Sequence, residues 1–495
     1  MKIELEYSQE PAVGVEPQQD DGRTISILDP GHNCLNLTRA DKAKLLIDAE
    51  AYFTCLDECL RRAERSITII GWDFDARVCL HHRDRDGADG ETLGDLLRQL
   101  VEASPELEVR ILVWSVAVLH TPSDPKPLLF GAEWQKHPRI HLHLATDHPA
   151  YACHHQKIVV VDDVLAFTGG IDLTVERWDT SEHAPDDPRR QKPDGTGYHP
   201  VHDCQMMIEG PLAREIAEVA RQRWRSAMGE TLPAPDVSAP RWPVGHRPDF
   251  VDTAAGVALT APRWRGAPGL NHSSRLTTDA LLAARRFIYI ETQYFSSRLM
   301  RPVLSHVLSQ PDGPEVLVVT SLTLNGWIER VALGNNRDRL IRALRRKDGF
   351  GRLRVCHAAT VRDEAVHEIF LHSKLIVVDD VFLRIGSANL SNRSIGLDTE
   401  CDIGFEAENA VTRQAIANVR NRLLAEHLGS DAETVRATIA AEGSLLKAVD
   451  RLTIGERQLR PLAAMDDDGP VRSVPGTRFL DPVAPFGSAG WWWPK

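Results

Sequence analysis

Two stretches of the chain, HQKIVVVDDVLAFTGGIDL at residues 155–173 and HSKLIVVDDVFLRIGSANL at residues 372–390, decide the fold. They align without a gap, and 217 positions separate their first residues. After the His-x-Lys start, each continues as an aliphatic, largely β-branched run, which is typical of a strand buried on both faces. A strand-then-helix pattern follows each stretch, at residues 203–224 and 400–423. The chain therefore contains a duplicated domain.

The order of elements before each stretch is also repeated. In the first half, apolar residues at helical spacing predict a helix from Arg39 to Arg65 and another from Thr92 to Ala103. In the second half, residues 276–286 and a basic segment around 330–346 predict helices in the same order. The apolar runs that predict strands are SITIIGWDF (66–74), EVRILVWSV (108–116), HLHLAT (141–146), FIYIETQYF (287–295), EVLVVTS (315–321) and LRVCHAAT (353–360). Helices that alternate with apolar strands indicate an α/β fold.

Changes in composition divide the chain into five segments. Residues 1–26 are polar and predict a flexible arm, and the Pro-rich residues 230–254 predict an interdomain linker. The two repeats then occupy residues 27–229 and 255–429, and residues 430–495 form a helical extension and tail. The tail ends in GWWWPK. Its tryptophans either fold back onto the protein, which we favour, or contact a lipid surface.

The composition disfavours several classes of protein. A net charge of −12 disfavours broad nucleic-acid binding, which depends on neutralising many phosphates with Lys and Arg. No apolar run approaches the roughly 18 residues that span a bilayer, and the amino terminus lacks the pattern of a secretory signal. We therefore expect a cytoplasmic protein without an integral membrane segment, with a peripheral location at the membrane, or secretion after signal removal, left open. The eight cysteines include no CxxC pair and are expected to be mostly buried free thiols.

Each repeat carries a histidine and a lysine separated by one residue. On a strand, His155 and Lys157 project to the same face, as do His372 and Lys374, so that an imidazole and a cation stand side by side. One HxKxxxxD match would be weak, because a lone strand histidine is more often structural. Two copies in otherwise diverged surroundings indicate catalysis. Imidazole is a competent nucleophile near neutral pH and, once protonated, a competent acid.

At this point the sequence resembles the phospholipase D superfamily, from about residue 40 to residue 430. Four further segments look like those of its phosphatidylcholine-hydrolysing members: GGIDLTVERWDTSEH (169–183), HDCQMMIEGP (202–211), FIYIETQYF (287–295) and IGSANLSNRS (385–394). The resemblance implies a duplicated phospholipase D/nuclease-type fold with two α/β/α layered domains, pseudo-two-fold symmetry and one active site at their interface. We expect none of the accessory lipid-binding modules of many eukaryotic members in front of these repeats, and Asp172 stands where Asn is commoner.

The resemblance also implies a reaction. It implies hydrolysis of glycerophospholipids such as phosphatidylcholine to phosphatidic acid and a free headgroup, with transphosphatidylation, through a covalent phosphohistidine. By analogy His155 is the nucleophile and His372 the acid, although the near symmetry of the motifs leaves the reverse order open. The scheme needs no cofactor and no metal. The expected partner is a phospholipid at a membrane surface, nucleic acid is not expected as a ligand, and oligomerisation is not required.

The remaining candidates surround these histidines. Asp203 and Glu400 are candidates to orient the imidazole rings, since a carboxylate can fix the tautomer of a histidine. Asp162 and Asp379 complete the two catalytic motifs, but their opposite strand parity to the lysines predicts a structural hydrogen-bonding role. Small or polar residues that allow close approach or hydrogen bonding to a substrate are Gly169, Gly170, Asp172, Ser387 and Asn389.

Three alternatives remain open at the level of sequence. One is another substrate in the same superfamily, namely a phosphatidyltransferase that makes cardiolipin or phosphatidylserine, or a nuclease. The second is a catalytically inactive lipid-binding or protein-binding scaffold, which the intact histidines and lysines disfavour. The third is a calcium-assisted enzyme, suggested by the acidic insertion around residues 176–187, where a solvated loop is the favoured interpretation.

Overall fold

The fold is a continuous β-sheet covered by helices, seen here in a computed structural model. The structure describes residues 26–81, 90–116, 126, 129, 131–237, 239, 241–323, 334–462 and 481–485. Residues 1–25 of the predicted arm and the tail segment GWWWPK lie outside this set. In the described part of the chain, no helix combines the length and the apolar character that crossing a membrane would require.

The first half of the chain alternates strands with helices. Its strands are β1 (Thr38–Ile47), β2 (Ser66–Gly71), β3 (Glu108–Trp114), β4 (Ile140–Ala145), β5 (Ile158–Val161), β6 (Leu165–Gly169), β7 (Val201–His202) and β8 (Cys204–Glu209). Its helices are α1 (Asp48–Leu60), α2 (Leu93–Ala103) and α3 (Pro211–Met228), with a 3-10 turn at Glu133–Gln135.

The second half repeats this order and adds a carboxy-terminal extension. Its strands are β9 (Phe250–Ala261), β10 (Leu270–Asn271), β11 (Phe287–Thr292), β12 (Glu315–Thr320), β13 (Leu353–Arg362), β14 (Ala365–Glu368), β15 (Phe370–Leu371), β16 (Lys374–Val378), β17 (Phe382–Gly386), β18 (Glu400–Glu406) and β19 (Arg457–Pro461). Its helices are α4 (His272–Ala283), α5 (Met300–Ser309), α6 (Asn335–Arg345), α7 (Arg393–Gly396), α8 (Ala410–His427), α9 (Ala432–Glu442) and α10 (Leu445–Leu452).

Local sequence explains where several helices begin and end. The Thr92 hydroxyl accepts a hydrogen bond from the backbone of Asp95 and caps α2, and Asn409 caps α8 in the same way. Helix α3 starts with Pro211, whose missing N–H costs nothing in a first turn, and ends at Gly229 in the left-handed conformation. These ends support the predicted helices independently of tertiary packing.

The sheet has nearly the same strand order in both halves, reflected about its centre. From one edge the neighbours are β4, β3, β2, β5, β6, β8 and β1, and then β9, β18, β17, β16, β11, β12 and β13. The outer strands β2 to β4 and β11 to β13 run parallel, whereas the central pairs are antiparallel. Strands β1 and β9 pair at the centre, so the two repeats share one sheet and the predicted duplicated fold is confirmed.

Helices cover both faces of this sheet. One apolar core runs through both repeats and includes Trp224 of α3 and Leu423 of α8. A second core lies under α1 and α2, and a third under α4, α5 and α6. All eight cysteines are unpaired and seven of them are buried, as the absence of CxxC spacing predicted. The α/β/α layering brings the strand ends that carry the two motifs to the junction of the repeats.

Two boundaries differ from the prediction. The segment predicted as a helix from Arg39 to Arg65 is a strand as far as Ile47, and only then the helix α1. Strand β1 pairs with a neighbour on each side, and these tertiary hydrogen bonds override the local apolar spacing. Similarly, the last five residues of the predicted linker 230–254 belong to β9, because they too pair with β1.

Candidate active site

The backbone of each motif is tied to the opposite repeat. The amide of His155 donates to the carbonyl of Thr399 (3.0 Å), and the amide of His372 donates to the carbonyl of His202 (2.8 Å). Beside His372, the short strands β7 and β15 pair in parallel across the repeats. Each motif histidine therefore lies next to the residue that follows its backbone partner, and these residues are the two candidate carboxylates.

The two histidine–carboxylate pairs are crossed between the repeats. His155 Nδ1 lies 2.9 Å from Oε2 of Glu400, and His372 Nδ1 lies 2.6 Å from Oδ2 of Asp203. A carboxylate on Nδ1 fixes the tautomer with a proton there, which leaves Nε2 of each ring free for chemistry. The sequence identified both carboxylates but did not say which histidine each one holds.

The two lysines lie beside the histidines in unequal surroundings. Lys157 Nζ donates to the carbonyl of His155 (3.0 Å) and forms an ion pair with Asp172 (3.0 Å). Lys374 Nζ donates to the carbonyl of His372. Burial, opposed by the charge of Asp203 and aided by that of Lys157, lowers the pKa of Lys374 to about 7. The ammonium groups are thus held close to the rings by the strand geometry.

Burial sets the protonation of the histidines and carboxylates. Burial and the charges of Lys157 and Lys374 hold the pKa of His155 well below its usual value, and the same lysines act with burial on the pKa of His372. Because each ring responds to the lysines of both motifs, the two motifs share one site. Burial also raises the pKa of Glu400 to about 7 and raises that of Asp203. Both rings are therefore neutral near pH 7 before substrate binds.

Small residues make room for the two carboxylates. A Cβ atom on Gly170 would lie 2.0 Å from Oδ1 of Asp203, so any side chain there would displace this carboxylate. The aligned residue in the second repeat is Ser387, whose hydroxyl donates to Oε2 of Glu400 (2.6 Å). Ser394, which the sequence did not single out, donates to Oε1 of Glu400 (2.7 Å). Its position in the sequence could have suggested it, because Ser394 ends the segment IGSANLSNRS (385–394), which resembles the phospholipase D superfamily.

The other predicted substrate-binding residues differ in their surroundings. Asp172 is engaged with Lys157 through Oδ2 and accepts from the backbone of Trp72 through Oδ1 (2.9 Å). Gly169 packs against the backbone of the neighbouring strand β8. Asn389 is buried, and its side-chain oxygen has no hydrogen-bond partner among the described residues. Direct contact of any of these residues with a substrate stays a prediction.

An aromatic wall that the sequence analysis did not anticipate borders His155. The rings of Trp72 and Trp114 stack with 6.1 Å between their centroids, and Trp72 meets His155 edge-on at 6.5 Å. The Lys157 ammonium lies 5.9 Å from the centre of the Trp72 ring. The side chain of His155 beside this wall is 14% exposed, and low solvent exposure of this kind strengthens electrostatic interactions. Its sequence signal is weak, because tryptophans that follow buried strands usually belong to the core.

The motif aspartates lie at the opposite end of their strands. Asp162 accepts hydrogen bonds from the backbone amides of residues 64, 65 and 66, and Asp379 accepts from those of residues 285, 286 and 287. Each carboxylate thus holds the start of the neighbouring strand, β2 or β11. Both residues have a positive φ of 53°, a backbone conformation that Asp tolerates better than most side chains. These contacts are structural, in keeping with the strand parity.

Replacement of Asp162 by asparagine is expected to lower the free energy of unfolding by about 2–4 kcal/mol while kcat changes by less than about threefold. The amide keeps one acceptor oxygen and turns its NH2 group toward backbone N–H groups that need an acceptor. Chemical denaturation and steady-state kinetics on the same preparation measure the two effects. Asp312→Asn, at an exposed turn, is the matched control. A large loss of kcat with unchanged stability would contradict this role.

Two groups of side chains in the described part of the chain have the donors to hold a metal ion. One comprises Asp48, His183, His202 and Glu426, and the other comprises His202, Cys204 and Glu291. In the first group, Nδ1 of His202 lies 2.6 Å from Glu426, so the donors pair with each other. Burial lowers the pKa of His183, but the carboxylates of Asp48, Asp179 and Glu426 outweigh it and raise this pKa to about 9. Binding of a cation would therefore have to displace protons from these histidines.

Comparison with known proteins supports the family that the two motifs indicate. A sequence profile of the phospholipase D family matches residues 59–243 and 351–451, and each matched segment contains one motif. The chain is 23% identical over 465 residues to phospholipase D A of Dictyostelium discoideum, covering 78% of this chain and 35% of that protein. It is 25% identical over 515 residues to phospholipase D alpha 1 of Vigna unguiculata, covering 75% of this chain and 63% of that protein. The chain thus spans less than two thirds of these relatives.

A solved structure supports the same fold. The crystal structure of phosphatidylserine synthase from Haemophilus influenzae Rd KW20 matches 79% of this chain and 88% of its own, with a TM-score of 0.52 and 13% sequence identity. At this identity the likeness concerns the fold alone. From the profile match and the two motifs, this chain belongs to the phospholipase D family, as the sequence predicted.

Proposed function

We propose that this protein is a phospholipase D that hydrolyses phosphatidylcholine-like glycerophospholipids to phosphatidic acid and a free headgroup, and that transfers the phosphatidyl group to small alcohols. The observation that carries the proposal is the crossed pairing, in which each histidine has its Nδ1 held by a carboxylate of the other repeat. Two imidazoles with free Nε2 atoms in one site can divide nucleophilic and acid catalysis between them.

In the first step, Nε2 of neutral His155 attacks the phosphorus. The P–N bond forms as the bond to the headgroup oxygen breaks, and protonated His372 gives its proton to that oxygen. A bound phosphodiester is anionic, so it offsets the neighbouring lysines and raises the pKa of His372 enough for this ring to carry the proton. Lys157 and Lys374 stabilise the charge that develops on the non-bridging oxygens.

In the second step, His372 acts as a base instead of an acid. The ring, now neutral, takes a proton from water or from an alcohol, whose oxygen attacks the phosphorus as the P–N bond breaks. Water gives phosphatidic acid, and an alcohol gives a new phosphatidyl ester. The proton gained by His372 prepares the next cycle, so that acid and base are the same residue in opposite steps.

The main alternative is a phosphatidyltransferase that works through the same intermediate. Its second step differs in the acceptor that reaches the phosphohistidine, so the acceptor is the variable to test. A nuclease is disfavoured by the net charge of −12. An inactive scaffold would have no need to keep two histidines, two lysines and both orienting carboxylates together.

The first test follows choline release and phosphatidylethanol formation from phosphatidylcholine vesicles in a few per cent ethanol, with and without EDTA. We expect both products, and their loss in His155→Asn. His306→Asn, on the outer helix α5, is the matched control and should retain activity. The EDTA arm determines whether the donor groups described above matter for turnover.

Three other outcomes would revise or reject the proposal. Cleavage of another phospholipid but not of phosphatidylcholine would retain the chemistry and change the headgroup. Product formation only with an alcohol acceptor such as serine or glycerol, and not with water, would favour the phosphatidyltransferase. No reaction with any phospholipid or nucleic acid would favour a scaffold.

A further inference from the structure

The two repeats differ in charge at two aligned positions inside the site. The offset that places His372 on His155 also places Asn389 on Asp172 and Ser394 on Arg177. Asp172 neutralises Lys157 through an ion pair of 3.0 Å. The aligned Asn389 carries no charge, so Lys374 lacks the equivalent partner. The symmetry of the motifs therefore hides an electrostatic difference between the two ends of the site.

Arg177 adds to this difference. After burial and the charge of Lys374, the positive charge of Arg177 contributes to the lowered pKa of His372, and it opposes the rise that burial causes in the pKa of Asp203. Its aligned counterpart, Ser394, donates a hydrogen bond to Glu400. The position therefore acts on a candidate carboxylate in both repeats, by its charge on Asp203 and by a hydrogen bond on Glu400, but only the first repeat places a cation there.

Among the residues that the structure describes, no carboxylate forms an ion pair with Arg177. The residue is 9% exposed, its Nη1 donates to the carbonyl of Glu176 (3.1 Å), and its buried Nε has no hydrogen-bond partner among the described residues. A guanidinium has five N–H donors and stays protonated in proteins. Burying such a group is costly unless an anion pairs with it. A phosphate bound between the two histidines would supply that anion.

We propose that Arg177 is a third cationic residue of the site, which binds the substrate phosphate from the side of His372 and favours a doubly charged phosphomonoester over a singly charged phosphodiester. The planar guanidinium can donate two parallel hydrogen bonds to phosphate oxygens, which an ammonium cannot. In terms of the proposed function, the phosphomonoester is the product phosphatidic acid. Arg177 then slows product release as well as helping the substrate to bind.

The test measures binding without turnover. In the His155→Asn background, calorimetry gives the affinities for inorganic phosphate, a short-chain phosphatidic acid and a short-chain phosphatidylcholine. Adding Arg177→Gln should weaken binding of the first two by about 10- to 100-fold and of phosphatidylcholine by less. Arg177→Lys should recover only part of the loss, because it restores the charge but not the paired donors.

A neighbouring arginine provides the control. Arg189 belongs to the same insertion, pairs with Asp187 and lies 4.9 Å from the ring centre of Trp178. Arg189→Gln should leave all three affinities unchanged. A second readout is the pKa of His372, followed by NMR of labelled histidine, which should rise when Arg177 is replaced by either Gln or a shorter neutral side chain.

The outcomes separate this inference from the proposed function. The inference would be overturned if Arg177→Gln left the affinity for phosphomonoesters unchanged. It would also be overturned if Arg177→Gln and Arg189→Gln weakened binding equally. Failure to hydrolyse phosphatidylcholine combined with Arg177-dependent phosphate binding would reject the proposed substrate and keep the inference. If Arg177→Gln does not fold, Arg177→Lys is measured in the same assays. An unchanged preference for phosphomonoesters in Arg177→Lys would show that two parallel hydrogen bonds from a guanidinium are not needed.

Discussion

Replacement of His155 or His372 by asparagine is expected to reduce turnover of phosphatidylcholine by at least about 10⁴-fold, because either change interrupts a covalent cycle. The two variants should differ with a substrate whose leaving group needs no proton. A nitrophenyl phosphodiester loses nitrophenolate without acid catalysis. His372→Asn should therefore release one equivalent of nitrophenolate per active site in a burst and then stall as a phosphoenzyme.

His155→Asn lacks the nucleophile in this scheme and should give no burst. Mass spectrometry of the stalled His372→Asn protein should find the added phosphoryl ester on His155. His306→Asn again serves as the control and should turn over steadily. A burst in His155→Asn with none in His372→Asn would reverse the two roles, and a burst in neither would remove the covalent intermediate from the mechanism.

Asp203→Asn and Glu400→Gln are expected to cost about 10²–10⁴-fold in kcat, because an amide does not hold the ring tautomer that a carboxylate does. The crossed pairing makes these variants unequal in the nitrophenyl assay. Asp203 orients the proposed acid, so Asp203→Asn should keep the burst. Glu400 orients the proposed nucleophile, so Glu400→Gln should lose it. If the histidine variants identify His155 as the nucleophile, the opposite pattern would mean that each carboxylate serves the histidine of its own repeat during catalysis.

The pH dependence of kcat/KM follows from the raised pKa of Glu400 and the lowered pKa of Lys374. Burial raises the pKa of Glu400 to about 7, so its carboxylate form is lost as the pH falls below neutrality. Burial lowers the pKa of Lys374 to about 7, so its charge is lost as the pH rises above neutrality. A bell-shaped profile centred near pH 7 is expected. Glu400→Gln should flatten its acid limb and leave the alkaline limb in place, and an unchanged acid limb would assign that limb to another group.

Local patterns in the sequence were sufficient to predict the family and the fold. The gap-free repeat of His-x-Lys with its aliphatic run placed β5 and β16 correctly, and the apolar runs placed β2, β3, β4, β11, β12 and β13. Strand β1 was predicted as helix, since the two strands that pair with it come from residues far along the chain. Hydrogen bonds of this kind leave no local trace in a single sequence.

The candidate site shows the same division. Both carboxylates could be found from their aligned positions, but the cross-repeat assignment depends on backbone contacts of His155 with Thr399 and of His372 with His202. The sequence showed that Asp172 stands where Asn is commoner. Only the three-dimensional structure shows that this carboxylate forms an ion pair with Lys157. Arg177 was noted only as part of the polar insertion around residues 176–187, for which a solvated loop was favoured, whereas the residue is buried. Its electrostatic effect on His372 could not be inferred from the sequence.

The crossed carboxylates also bear on how such a chain could arise. A single ancestral copy with this pairing would have had a complete site only as a symmetric homodimer, each subunit lending its carboxylate to the other. In a homodimer every substitution occurs twice, so an arginine near one histidine forces an arginine near both. Fusion of the two genes removes that constraint. The divergence of Arg177 from Ser394 and of Asp172 from Asn389 is the kind of specialisation that fusion permits.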